Sequence, residues 1–199
     1  MRRATAKCKS RETDITVTVN LDGCGKTSVS SGIPFLDHML TLLGTHGLCD
    51  LTIKARGDLE VDCHHTNEDI GLVLGQALDR ALGTRRGIQR FGWAYVPMDE
   101  ALARAVVDIS GRPKLVLRDG RQAPAPRGAS GGTYGWGDAE HFLESFVRTA
   151  KLTLHVEVLS GSDFHHTCEA VFKAVGRALE MATRLNPRVK GVPSSKGRL

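Results

Sequence analysis

Apolar and polar residues alternate along Ile15-Thr16-Val17-Thr18-Val19, the two-residue period of a half-buried strand, and the run stops at Asp22-Gly23. The spacing predicts a strand over 14–21, with 26–30 as its partner strand. Pro34 then opens an apolar segment, 35–43, with helical spacing and a stop at Gly44. Residues 51–55 alternate again. A second helix begins at His64 and lays Ile70, Val73, Leu74, Ala77, Leu78 and Ala81 along one face. The same order follows in the second half: a strand over 105–109, a partner strand over 115–117, a helix over 139–150, a strand over 152–159 and a helix from His165 to about 185. Between them, residues 119–137 are rich in Gly, Pro, Arg and Ala and read as an exposed, mobile loop.

The parallel order reflects a duplication. His64-His65-Thr66-Asn67-Glu68 recurs 101 residues later as His165-His166-Thr167-Cys168-Glu169. At the same offset Gly75, Ala77 and Leu78 fall on Gly176, Ala178 and Leu179, and Leu51-Thr52-Ile53 falls on Leu152-Thr153-Leu154. Asp37-His38-Met39-Leu40 resembles Glu140-His141-Phe142-Leu143 with two residues lost between. The expected fold is therefore α+β, a ββαββα-type unit used twice, with halves at 1–90 and 91–199. Each unit would cover one sheet face with helices. Packing the two helix layers together, between two outer sheets, would bury both.

Composition narrows the class. Of 199 residues 41% are hydrophobic and 5% aromatic, so a sizeable core must be mostly aliphatic. No run approaches the eighteen or so apolar residues of a membrane span. The basic N-terminus leads into no apolar stretch of a secretion signal. Five scattered cysteines without a CxxC pair point to reduced thiols and a cytoplasmic setting. The net charge of +5 suits an anionic ligand, while the absence of a basic cluster beyond Arg85-Arg86 argues against nucleic acid.

Six of the eight histidines sit in duplicated positions: His38, His64, His65, His141, His165 and His166. Each motif adds one carboxylate, Glu68 or Glu169. A lone helical His is usually a solvated polar residue, but a duplication has no structural reason to keep adjacent imidazoles at a helix start. His64 and Glu68 lie about 40° apart on a helix and share a face, whereas His65 is turned by about 100°. Six His and two Glu divide into two sites of three His and one Glu. By pseudo-symmetry His64 and Glu68 would pair with His166, and His165 and Glu169 with His65, each site completed by His38 or His141. Imidazole with carboxylate favours manganese, iron or zinc, and catalysis needs open positions, which an octahedral ion such as Mn²⁺ retains. Cys63 and Cys168 read as small apolar fillers. His46 and His155 have no duplicate, and His155 reads as an ordinary strand residue.

These residues resemble those of the imidazoleglycerol-phosphate dehydratase family. The likeness is carried by Arg11-Glu12-Thr13, Pro34-Phe35-Leu36-Asp37-His38-Met39-Leu40, both HHTxE motifs, Arg90-Phe91-Gly92, Pro97-Met98-Asp99-Glu100-Ala101-Leu102, Asp108-Ile109-Ser110-Gly111-Arg112-Pro113 and Pro193-Ser194-Ser195-Lys196-Gly197. Two departures are Phe164, where many members carry an acidic residue, and the few residues beyond Lys196-Gly197, a segment that relatives often extend.

The resemblance implies a hydro-lyase of histidine biosynthesis that dehydrates D-erythro-imidazole-glycerol phosphate to imidazole acetol phosphate through a dimanganese-bound imidazolate. It also implies a ribosomal-protein-S5-domain-2-like unit, two Mn²⁺ per subunit bound at a subunit interface by the six His and two Glu, and a 24-subunit homo-oligomer. Glu12, Arg90, Arg112, Ser195 and Lys196 match substrate contacts, and the stretch from His38 to His46 lines the substrate along with His64, His65 and Glu68. Read for their own chemistry, Ser194, Ser195 and Lys196 offer hydroxyls, backbone N–H groups and an ammonium to a phosphate. Glu12 is the expected proton-transfer group, because Glu68 and Glu169 would serve catalysis as ligands. The rival readings are a metal-storage or metal-sensing protein and a metal-dependent hydrolase of phosphorylated substrates.

Overall fold

The protein is described by a computed structural model covering residues 1–120 and 134–199. The first half runs β1 (Arg3–Lys9), β2 (Thr13–Asn20), β3 (Thr27–Ser30), α1 (Pro34–His46), β4 (Asp50–Gly57) and α2 (His64–Leu82). The second runs β5 (Phe91–Met98), β6 (Ala101–Asp108), β7 (Lys114–Asp119), α3 (Trp136–Ala150), β8 (Thr153–Ser160) and α4 (Phe164–Thr183). Each half forms its own four-stranded sheet, in the orders β1-β2-β4-β3 and β5-β6-β8-β7. The duplication read from two pentapeptides thus extends to strand order.

Each unit holds the expected four strands and two helices, but in the order βββαβα. β1 and β5 escaped the alternation for different reasons. β1 is an edge strand with one fully buried side chain, Ala6. In β5 the large apolar side chains point outward, Phe91, Trp93 and Tyr95 being about half exposed, while Gly92 faces α4. The partner expected for the first strand is also corrected. β3 pairs with β4, parallel, and β2 pairs antiparallel with β1 and β4. A parallel pair needs a crossover, which α1 provides between β3 and β4. β7, α3 and β8 repeat the device.

Several boundaries move as well. β6 begins at Ala101, four residues before the expected start, because Ala101, Ala103 and Ala105 are buried but too small to mark an alternation. α3 begins at Trp136, inside the expected loop, where the Gly135 N–H donates to Asp138 Oδ2 at 2.7 Å. The expected mobile loop otherwise falls mainly on residues 121–133, outside the described residues.

The helices lie between the sheets, as expected. α2 packs on β1 and β2, and α4 on β5 and β6. Across the middle, α2 meets α3 and α1 meets α4, so each long helix of one half packs on the short helix of the other. Phe142, Phe146 and Phe172 fill the centre, fully buried, within a mostly aliphatic core. The duplicated glycines set the approach. A Cβ at Gly75 would lie 2.7 Å from the Ala150 nitrogen of α3, and one at Gly176 would lie 2.6 Å from the Leu43 oxygen of α1. Thr149 Oγ1 donates to Leu72 O across the first of these seams, at 2.6 Å.

Gly75→Ala therefore forces backbone apart. It should destabilise the chain by about 1–3 kcal/mol, although alanine is the better helix former. Gly137→Ala, in a helical site with nothing within 4 Å of the added Cβ, should be neutral or stabilising. Chemical denaturation of both variants checks the contrast, and equal stability of the two would contradict this packing.

Candidate metal centre

The helix seams carry the chemistry with them. α1 brings His38 to the start of α4, where His165 and Glu169 stand four residues apart on one face. His38 Nε2 and His165 Nε2 lie 2.9 and 3.0 Å from Glu169 Oε1. α3 brings His141 to the start of α2 in the matching way. There His64 Nε2 and His141 Nε2 lie 4.0 and 3.7 Å from Glu68 Oε2, and the two imidazoles stand 4.4 Å apart. Each group thus offers two imidazole nitrogens and a carboxylate oxygen within 4.8 Å of one another. Each also joins a motif from one half to a histidine from the other.

Local structure fixes these positions. Pro34 starts α1, and Asp37 Oδ1 accepts from both N–H and Oγ–H of Ser31, pinning the turn below His38. Asp163 caps α4 by accepting from the His166 N–H at 2.9 Å. Phe164 stacks on Phe35 at 5.3 Å, and Phe35 presents its face or edge to His165 at the same separation. The variable position of the motif is structural: Asn67 is buried, donates to Asp138 O at 2.9 Å and accepts from the Tyr134 hydroxyl at 3.1 Å. Cys168 is buried too, as a filler would be. Burial, with the Asp138 charge added, pushes the Cys63 thiol up to about 11, and its sulfur joins neither group.

The two centres differ in charge. Lys173 Nζ donates to Glu169 Oε2 at 2.6 Å. Burial pushes the Glu169 carboxyl up, but the hydrogen bonds from Lys173, His38 and His165 outweigh it and hold the group at about 2. Glu68 is more open and has Arg148 at 3.5 Å. Lys173 was not found from the sequence. Its signal was the four-residue spacing from Glu169, masked because the duplicate position is Leu72.

His65 and His166 join neither group among the described residues. The pairing expected for them is not formed within the chain, because the turn of the helix directs them away. His65 Nδ1 meets Asp58 Oδ2 at 2.9 Å, and His166 Nδ1 meets Glu100 Oε2 at 2.8 Å. These hydrogen bonds raise both histidines above their ordinary value, with the Glu12 charge adding to His65. Glu12 stands in the β1–β2 turn, which Thr13 ties to α2 by donating to Asp69 Oδ2 at 2.5 Å. His46 lies at the far end of α1, lowered by burial and then by the charges of Lys173 and Arg177. His155 is exposed on β8, away from both groups.

The phosphate-type residues form a separate cluster. Arg90 grips both oxygens of Asp108, at 2.7 and 3.1 Å, and donates to Pro193 O at 2.8 Å. Its N–H donates to Ala182 O near the C-terminus of α4. The tail carrying Ser194, Ser195 and Lys196 continues to Leu199, which packs against Gly111 beside the exposed Arg112. From Ala182 back to His165 is about 25 Å along the helix at its usual rise. One chain therefore does not bring this cluster to its own histidine group at the start of α4.

The donor set fits a borderline divalent ion: imidazole and carboxylate, with no thiolate among the described residues of either group. No described helix is long and apolar enough to cross a membrane. Known proteins give the same picture across the chain. The model of the imidazoleglycerol-phosphate dehydratase family matches residues 31–179. The chain is 53% identical to the imidazoleglycerol-phosphate dehydratase of Corynebacterium urealyticum over 98% of its own length and 95% of that protein's. It is 52% identical to that of Pelobacter propionicus, with 98% of each covered. The crystal structure of the Staphylococcus aureus imidazoleglycerol-phosphate dehydratase superposes with a TM-score of 0.78 at 36% identity, covering 92% of this chain and 99% of that one. The IGPD of Pyrococcus furiosus, solved in complex with (S)-C348, gives 0.79 at 35% identity, covering 97% and 99%. The chain belongs to the imidazoleglycerol-phosphate dehydratase family of hydro-lyases.

Proposed function

We propose that this protein dehydrates imidazoleglycerol phosphate to imidazole acetol phosphate, a step of histidine biosynthesis in the cytoplasm, with two Mn²⁺ ions per chain. The observation that carries the reading is the pair of His-His-Glu groups, each beside an outward histidine that joins neither group of its own chain. Three His and one Glu would complete each centre if His65 and His166 reach the groups of neighbouring copies. The two halves, 1–90 and 91–199, would then each contribute to both centres.

When bound, the ions would supply positive charge at the imidazole nitrogens of the substrate, favouring loss of the ring proton and so electron release toward the side chain. The hydroxyl then leaves the carbon attached to the ring and takes up the released ring proton to depart as water. Glu12, exposed in its turn, takes the proton of the middle glycerol carbon, and the resulting enol tautomerises to the ketone. Glu68 and Glu169 serve as ligands. Arg112, Ser194, Ser195 and Lys196 hold the phosphate, so that its binding energy orients the ring. Arg90, occupied by Asp108 and Pro193 O, contributes its remaining N–H capacity and anchors the tail. His38, His46, His64 and His65 line the ring end of the site. The separation of about 25 Å along α4 supports a centre assembled from several chains, and the 24-subunit shell is what the family resemblance implies for them.

The first test is the dehydration assay with and without Mn²⁺. A metal-loaded protein that leaves imidazoleglycerol phosphate intact would refute the reading. Elemental analysis of the loaded protein should find about two ions per chain, one for each group. Chelation should reduce the particle to smaller oligomers, and Mn²⁺ should restore its size. Light scattering that finds the full particle with both sites demonstrably empty would separate metal binding from assembly.

Arg112→Ala tests phosphate recognition. Loss of a charge-assisted contact should raise KM by about tenfold or more while leaving metal content unchanged. An unchanged KM in steady-state kinetics would remove Arg112 from the phosphate site.

A further inference from the structure

His65 and His166 make the same contact by different means. Each ring has its Nδ1 against a carboxylate, Asp58 at 2.9 Å and Glu100 at 2.8 Å. The duplication does not relate these two acids. Asp58 follows β4, and the residue 101 positions beyond it is Leu159. Glu100 stands in the β5–β6 turn, immediately before β6. Its counterpart in the first half is Glu12, immediately before β2. Two non-equivalent positions have thus been recruited to one contact.

A neutral imidazole that donates from Nδ1 to a carboxylate carries its proton there and presents the lone pair at Nε2. Both rings are partly exposed, with side chains 38% and 33% accessible, and His166 Nε2 has Asp99 no nearer than 3.9 Å. Asp58 Oδ1 is buried without a hydrogen-bond partner among the described residues, and Oδ2 makes the contact with His65.

We propose that Asp58 and Glu100 are positioning residues that fix the tautomer and direction of His65 and His166 as outward Nε2 metal donors. This rests on the metal reading above. It also accounts for the freedom of Glu12. In the second half Glu100 is fully occupied, taking the N–H groups of Ser162 and Asp163 on Oε1 and His166 on Oε2. In the first half Asp58 takes the histidine, and the Glu12 carboxylate accepts no hydrogen bond among the described residues. The substitution of one acid for another leaves a carboxylate beside the centre, available to move a proton.

The test is a Mn²⁺ titration of the metal-free full chain, with free Mn²⁺ followed by electron paramagnetic resonance. The wild type should bind about two ions per chain, one for each group. Asp58→Ala should weaken one class of site by about 10–100-fold and leave the other unchanged, as loss of an outer hydrogen-bond partner does. Asp58→Asn, which keeps an acceptor, should recover part of the loss. Glu100→Gln should weaken the other class, because its amide N–H₂ facing Nδ1 forces the proton onto Nε2. If Asp58→Ala does not fold, Glu100→Gln carries the test by itself: one class of site weakened and the other unchanged. Unchanged affinity at both classes overturns the proposal, and so does an equal loss at both, which would mark general damage. A wild type that binds no Mn²⁺ would instead overturn the metal reading beneath it.

Discussion

The close approach of helices from opposite halves is the constraint on which the site depends. Within either half, a motif supplies only its own pincer, a His and a Glu four residues apart. The third group arrives on the short helix of the other half, His38 on α1 for α4 and His141 on α3 for α2. The packing of those helices against one another brings the imidazoles of one to the carboxylate of the next. Gly75 and Gly176 permit that contact, and the buried ring of Phe142, packed 5.7 Å from Phe172, fills the space between the crossings. Core packing and metal-ligand geometry are thus one interaction seen from two sides.

Pseudo-symmetry ends at the charges. Glu169 is nearly buried and receives Lys173 as well as two imidazoles, whereas Glu68 is more exposed and meets its neighbours at longer range. A lysine on the second oxygen holds Glu169 ionised and directs its first oxygen toward His38 and His165. Leu72 cannot do this for Glu68. The two halves carry the same kinds of ligand, and the different residues around them, Lys173 against Leu72, give the two centres different electrostatic settings.

Much of this was legible in the chain. The alternation in β2 and the apolar face of α2 follow from side-chain period, and the repeated HHTxE announced both duplication and donor type. What escaped was of three kinds. Edge strands such as β1 and β5 lack the alternation of a half-buried strand, since one buries only Ala6 and the other exposes its aromatics. Pairing across the seam, His38 with Glu169 and His141 with Glu68, depends on tertiary packing that no local period encodes. The carboxylates at Asp58 and Glu100 lie outside the repeat register, so the duplication that revealed the histidines concealed their partners.

The length of α4 has a genetic consequence on the proposed reading. The histidines stand at one end of that helix, and Arg90, Arg112 and the tail gather at the other, about 25 Å away. A substrate the size of imidazoleglycerol phosphate cannot bridge that distance, so the two ends of one chain would belong to different catalytic centres. A lesion at the histidine end and a lesion at the arginine end would then fall on separate sites when both kinds of chain share a particle. Some centres in that mixed particle would draw every part from undamaged ends, and two alleles, each inactive alone, would complement one another.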